Sequence, residues 1–284
     1  MTLTGAGKIA GVVGWPVRHS LSPLLHGYWL NELKVDGALV PLGVPREDFA
    51  RTVLALRRAG FTGVNVTVPH KEAAFALAHV TDAAAEMAGA ANLLVFHPDG
   101  RIEGRNTDAT GLRESLREEI GSLQGKSVLL LGAGGAARGA LLALNELGAA
   151  RVHILNRHAD KAAMLARALK PALQSELLPE SLAHWSKVVG TADLVVNTTS
   201  AGMKGHAPLA LDLTALRDTA VVLDIVYNPL ETELLKQAKA RGLKTINGLG
   251  MLMHQAAPSF EAFFGVKPKV SPGLRAHLEK ALHA

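Results

Sequence analysis

The 284-residue chain contains no cysteine. That excludes disulfides, thiolate catalysis and cysteine-ligated zinc. Aromatic residues make up only 4%, so the interior has to be filled by aliphatic and small side chains. No stretch reaches the ~18 uninterrupted apolar residues of a membrane span. The opening MTLTGAGKIAGVVG has one Lys and no long apolar core of the kind a secretory signal needs. A soluble, cytoplasmic chain is the expectation. Thirty Lys and Arg stand against 25 Asp and Glu, a net charge of +5, yet no basic run is dense enough to suggest nucleic-acid binding. The modest excess suits small anionic ligands instead. Repeats and low-complexity linkers are also absent. His19, His26, His70 and His254 lack the i, i+4 pairing with an added carboxylate that marks a zinc-protease site, so structural or surface roles are expected and no metal.

What is present is 48% hydrophobic and 19% charged, a globular composition long enough for two domains or one large α/β unit. The chain is organised around Ser127–Gly148. Val128 to Leu131 are four large apolar residues in a row, as in a parallel strand buried on both faces. They run into Gly132-Ala133-Gly134-Gly135-Ala136-Ala137, which fits G-x-G-x-x-A, and then into a helix that stops at Gly148. Strand, glycine turn and helix in that order are the context of a dinucleotide fingerprint. Gly132 permits the tight turn, Gly134 a close approach to pyrophosphate, and Ala137 close helix–strand packing. The next strand, Arg151–Leu155, ends in Asn156-Arg157. An NAD-selective site carries a carboxylate there; Arg157 can instead fork onto a 2′-phosphate, with Lys161 one turn on, so NADP is preferred.

In chain order, Lys8–Gly14 reads as a buried strand. Ser22-Pro23 reads as an N-cap followed by proline at the first helical position, opening a helix to about Leu33. Asp36–Leu42 suggests a strand, and Arg46–Ala59 a helix with Phe49, Val53, Leu54 and Leu56 inward. Gly63–Val68 reads as a third strand, ended by Pro69, with Asn65 and Thr67 on one face. Lys71 opens the next helix, where the macrodipole disfavours a cation; such a local penalty points to function. Two further strands, Ala90–Phe96 and Arg101–Gly104, flank a turn at His97–Gly100, and a helix covers Thr110–Glu119. After Arg157 the pattern continues with a helix at Ala159–Leu169 and strands at Asp193–Asn197, Val221–Val226 and Lys244–Ile246. A helix at Glu231–Arg241 comes before the last of these. The loops Gly132–Ala137, Asn197–Gly202 and Tyr227–Pro229 should collect on one sheet edge. A long apolar helix, Met251–Phe264, and a last helix after Pro272 close the chain. The predicted fold is α/β with two domains. Residues 1–108 and 248–284 form a substrate-binding domain, and 109–247 form a Rossmann-like nucleotide domain.

Seven segments together resemble the shikimate/quinate dehydrogenase family: SLSP with His26, NVTVPHK (Asn65–Lys71), GRNTDATG (Gly104–Gly111), GAGGAARG (Gly132–Gly139), NTTSAGM (Asn197–Met203), VYNPLET (Val226–Thr232) and GLGMLMHQAA (Gly248–Ala257). They span nearly the whole chain in family order. The resemblance implies reversible, NADPH-dependent reduction of 3-dehydroshikimate to shikimate, on the route to aromatic amino acids, in a cleft between two α/β domains. It implies Lys71 and Asp108 as the catalytic pair, and Ser20 and Ser22 as holders of the substrate carboxylate. Asn65, Thr67, Asn92, Tyr227 and Gln255 would contact ring hydroxyls or position that pair. Asn156 and Arg157 would hold the 2′-phosphate. The fingerprint residues Gly132, Ala133, Gly134, Gly135, Ala136 and Ala137 would meet the cofactor. So would Thr198, Thr199, Ser200, Met203, Ile225, Gly248 and Met251. A monomer or homodimer is expected, with a small-molecule substrate and no nucleic-acid or membrane partner.

The chain departs from the family pattern at Gly27, Leu93 and His158, which stand where Asn, Thr, and Thr or Ser are usual. A quinate/shikimate dehydrogenase with broader substrate or NAD use is the nearest alternative; Ser22 and the Asn156-Arg157 pair favour shikimate and NADP. A catalytically silent dinucleotide-binding protein on the same scaffold would lose Lys71 or Asp108, and both are present.

Overall fold

A computed structural model describes residues 3–283. The chain divides into two compact units. One gathers the chain up to Asp108 with Met253–Ala281; the other runs from Ala109 to Leu252.

The first unit contains β1 (Lys8–Gly14), α1 (Ser22–Glu32), β2 (Gly37–Gly43), α2 (Phe49–Arg58), β3 (Gly63–Val66), α3 (Lys71–Leu77), β4 (Val80–Thr81), α4 (Ala83–Ala88), β5 (Leu93–Phe96) and β6 (Ile102–Arg105). Its sheet has the order β2-β1-β3-β5-β6-β4. The β1 strand is parallel to β2 and β3, whereas β5 runs antiparallel to β3 and β6. Parallel β1 and β3 therefore release their C-terminal ends side by side, which is where such sheets place ligands.

The structure departs from three local expectations. Ser22 is the first residue of α1 rather than its cap; Leu21 is the N-cap and gives no side-chain hydrogen bond. The Ser20 hydroxyl takes the Ser22 N–H instead, at 3.3 Å, so capping does not consume the Ser22 hydroxyl. The β3 strand ends at Val66, so Thr67 lies beyond it and Val68 is 69% exposed. Leu54 faces solvent, whereas Phe49 and Val53 are fully buried; with 3.6 residues per turn, position 54 falls off the stripe that 49, 53 and 56 define.

A helix α5 (Asp108–Ile120) leads into the second unit. There follow β7 (Ser127–Leu131), α6 (Gly135–Glu146), β8 (Arg151–Asn156), α7 (Ala159–Leu169), β9 (Glu176–Ser181), α8 (Trp185–Val188), β10 (Leu194–Asn197), β11 (Val221–Asp224), α9 (Glu233–Ala240) and β12 (Lys244–Ile246). Two helices complete the chain, α10 (Leu249–Phe264) and α11 (Pro272–Leu282). The second sheet is parallel throughout, in the order β12-β11-β10-β7-β8-β9. Strand order reverses between β7 and β10, so the crevice at their carboxyl ends is the topological switch point of a Rossmann fold. The four residues Val128–Leu131 are at most 1% exposed, as their unbroken apolar run requires. The α/β class and Rossmann-like second half are therefore as the sequence implies. The β9 strand escaped notice because it pairs only with β8 and contains Pro179, a residue an edge strand tolerates. Among the described residues no helix is long and apolar enough to cross a membrane.

In the first core, His26 is fully buried and neither ring nitrogen has a hydrogen-bond partner among the described residues. It packs against the rings of Trp29, 5.9 Å away, and Phe260, 5.7 Å away. Burial holds the imidazole neutral, its pKa pushed down to about 3. An unfolded histidine titrates near ~6.5. Below that value the unfolded chain gains a proton that the folded chain refuses until about pH 3. This part of the stability is complete above the unfolded pKa and declines as pH falls, by about 1.4 kcal/mol per unit. Lowering the pH from 7.5 to ~5 should therefore cost about 2 kcal/mol through His26. Urea unfolding at both pH values checks this. The slope should flatten in His26→Leu, and an unchanged slope in that variant would contradict the assignment.

Candidate active site

Lys71 is the first residue of α3, reached from β3 through a turn that packing holds still. In that turn the His70 ring stacks on Phe49 at 4.7 Å and 15°, with its Nε2 2.7 Å from the Val44 carbonyl oxygen. Asp108 opens α5, just past β6, and its N–H donates to Asn106 Oδ1 at 3.0 Å. The two meet. Lys71 Nζ donates to Asp108 Oδ2 at 2.6 Å, and Asn92 Nδ2 donates to Asp108 Oδ1 at 2.8 Å. The carboxylate thus has one oxygen on an ammonium and the other on an amide, which fixes its plane. An ammonium has three N–H donors and Asp108 takes one. The Lys71 side chain is 29% exposed, against 12% for Asp108, so the cation is the more accessible partner.

Behind the pair is a buried polar network. Asn92 Oδ1 accepts the Thr107 N–H at 2.8 Å, and Gln255 Oε1 accepts from the Thr107 hydroxyl at 3.3 Å and from Asn92 Nδ2 at 3.4 Å. Asn65 Nδ2 donates to Ser259 Oγ at 2.7 Å. The structure thus joins Lys71, Asp108, Asn92 and Gln255 directly. Ser20, Ser22 and Thr67 sit just after the neighbouring strands β1 and β3, and the Thr67 N–H donates to the Val13 carbonyl at 2.9 Å. Gly14 is required there, because a Cβ would come within 2.5 Å of the Thr67 methyl. Sequence reasoning did not assign Thr107 and Ser259. Thr107 lies inside the GRNTDATG segment, while Ser259 offers only its i+4 spacing from Gln255.

In the second unit the glycine turn sits at the switch point. Gly132 has φ +111°, open only to glycine without strain. A side chain added at Gly134 or Gly135 would meet nothing within 4 Å, and Gly134, the N-cap of α6, offers no side-chain cap. The first N–H groups of a twelve-residue helix are thus left without a side-chain cap, beside a backbone that carries no side chain at 134 or 135, the setting that receives phosphate. An adjoining cavity of about 330 Å³ is lined by Gly132, Asn156, Arg157, Thr199, Ser200 and His206, with Leu182, Pro208 and Leu209 on its apolar side. His206 is a polar residue that sequence reasoning did not place there.

Other expected cofactor residues have structural duties. The Thr198 hydroxyl donates to the Leu131 carbonyl at 2.7 Å, and Ala137 is fully buried between α6 and the sheet. Gly248 must be glycine because a Cβ would overlap the Ile225 carbonyl. Ala133, Gly134, Gly135, Ala136, Ala137, Thr198, Met203, Ile225, Gly248 and Met251 do not line the 330 Å³ cavity. Burial pushes the Tyr227 phenol above its ordinary pKa.

One buried carboxylate organises these loops. Asp224, at the end of β11, accepts from Asn197 Nδ2 at 3.0 Å, the Val226 N–H at 3.0 Å and the Thr232 hydroxyl at 2.8 Å. Asn197 in turn accepts from the Thr199 N–H at 3.0 Å and hydroxyl at 2.8 Å. Burial pushes the Asp224 carboxyl up in pKa, and the three donors oppose that shift.

The chain matches three family models: "Shikimate dehydrogenase substrate binding domain" over residues 12–94, "Shikimate / quinate 5-dehydrogenase" over 114–225, and "Shikimate 5'-dehydrogenase C-terminal domain" over 248–276. A curated relative, shikimate dehydrogenase (NADP(+)) of Paramagnetospirillum magneticum, is 47% identical over 96% of this chain and 99% of its own. The solved structure of shikimate 5-dehydrogenase from Thermus thermophilus, in complex with NADP(H) and shikimate, is 34% identical. It superposes with a TM-score of 0.83 over 97% of this chain and 98% of that one. Quinate dehydrogenase from Corynebacterium glutamicum, in complex with NAD, is 29% identical with a TM-score of 0.88, over 98% and 99%.

Proposed function

The chain belongs to the shikimate dehydrogenase family, and from that premise we infer that it reduces 3-dehydroshikimate reversibly to shikimate with NADPH. The observation that carries the chemistry is the 2.6 Å Lys71–Asp108 pair with Asn92 behind it. We assign substrate binding and catalysis to residues 1–108 and 248–284, and NADP binding to 109–247.

The nicotinamide cofactor, when bound, would supply a hydride to the carbonyl carbon as NADPH or take one from the alcohol carbon as NADP+. Negative charge then develops on the attached oxygen, and a donor already in place stabilises it without reorganisation. Lys71 is that donor. It gives the oxygen a proton as the alcohol forms, and in the reverse direction its neutral amine accepts the hydroxyl proton. Asp108 holds the amine in position and balances its charge, while Asn92 keeps the carboxylate from rotating. Ser20 and Ser22, beside the N-terminus of α1, are assigned to the substrate carboxylate. Asn65, Thr67, Tyr227 and Gln255 are assigned to ring hydroxyls.

For the cofactor, the bare Gly134–Gly135 backbone and uncapped α6 fit a pyrophosphate, and Arg157 fits a 2′-phosphate as a charge-assisted fork. No carboxylate lines that cavity. A diffusible nucleotide and a small polar acid need no membrane, which supports a cytoplasmic location, and we propose a monomer or homodimer. With shikimate as substrate, Arg157→Ala should raise KM for NADP about a hundredfold and leave KM for NAD within a few fold. Equal losses with both nucleotides would contradict the 2′-phosphate assignment.

A further inference from the structure

We propose that Ser259 is a positioning residue for shikimate, fixing the amide of Asn65 so that its carbonyl end is offered to a substrate hydroxyl. The proposal rests on the substrate reading above and extends it to a residue that touches no reacting atom.

Ser259 is fully buried and Asn65 is 7% exposed, so their 2.7 Å hydrogen bond is shielded from competing water. An asparagine amide can present either end, and which end faces a ligand depends on what the other end is bound to. Here Nδ2 donates to Ser259 Oγ. With that end committed, Oδ1 turns the opposite way as an acceptor and selects a hydroxyl that donates.

The supporting helix makes the choice rigid. Gln255, Ser259 and Phe263 stand at i, i+4 and i+8 on α10, one stripe of its surface. Each meets a separate part of the first sheet's side-chain layer. Gln255 accepts from the Thr107 hydroxyl, Ser259 holds Asn65, and Phe263 packs over Gly63, where a Cβ would lie 2.6 Å from its ring. Gly63 and Asn65 are two residues apart on β3 and so share a face. The absent side chain at 63 lets α10 approach closely enough for Ser259 to reach 65. A residue that only filled space would not place an oxygen opposite the one amide on that strand.

Ser259→Ala removes the acceptor and frees the Asn65 amide to turn. KM for shikimate should rise about tenfold, with kcat within threefold and KM for NADP unchanged. In an Asn65→Ala background the same substitution should change KM for shikimate by less than about twofold, because a residue acting through Asn65 has nothing left to act on. If Ser259→Ala does not fold, Ser259→Cys keeps the size with a much weaker acceptor and carries the same test. An unchanged KM for shikimate, or a full tenfold rise in the Asn65→Ala background, would overturn the proposal. A wild-type protein that does not turn over shikimate would overturn the underlying reading instead.

Discussion

Lys71→Ala should lower kcat about a thousandfold while KM for shikimate changes by only a few fold. The asymmetry follows from where the charge is. In the ground state the substrate oxygen is neutral, and an ammonium contributes one hydrogen bond among several. In the transition state the oxygen is becoming an alkoxide, and in the mechanism we propose Lys71 supplies both the opposing charge and the proton. A contact that strengthens only on the way to the transition state is lost from kcat. Lys71→Arg should not restore the rate. A planar guanidinium cannot take the place of a point charge 2.6 Å from Asp108, and it does not give up its proton. Steady-state kinetics with both substrates saturating test the claim; a kcat for Lys71→Ala within twofold of wild type would remove Lys71 from the chemistry.

The second large effect is on stability. Asp224→Ala strips the acceptor from three donors at once, Asn197 Nδ2, the Val226 N–H and the Thr232 hydroxyl. Asp224 itself is fully buried, so water does not readily replace it. Leaving buried donors unsatisfied costs roughly 1–3 kcal/mol each. Allowing for relaxation, a loss of about 4 kcal/mol is expected. The same change loosens Asn197, which holds Thr199 beside the 330 Å³ cavity we assign to NADP. KM for NADP should therefore rise several fold. Urea unfolding with parallel kinetics decides the matter, and a stability loss under about 1 kcal/mol would show that the network carries little.

These two cases show what was legible in the chain and what was not. Local signals read well because they depend on neighbours in sequence. The Val128–Leu131 run, the glycine turn and Gly148 mark β7, its turn and the end of α6, and Lys71 stands at the start of a helix as expected. Marginal local signals read poorly. The β4 strand has two residues, α4 is a short alanine-rich helix, and β9 carries a proline in its interior. Side-chain partners read least of all. Lys71 and Asp108 lie 37 residues apart, and Asn65 and Ser259 lie 194 apart. Only the family resemblance put the first pair together before the fold did, and nothing local marked the second. Ser22 looked like a helix cap because its spacing to Pro23 allows it. The backbone starts α1 one residue earlier, leaving the hydroxyl for another partner.

The most direct test is turnover by the purified protein, followed at 340 nm with shikimate or quinate, each paired with NADP or NAD. Strong turnover confined to shikimate with NADP is the predicted result. Comparable rates with quinate, or a preference for NAD, would contradict the substrate and cofactor assignments made from Ser22 and Arg157.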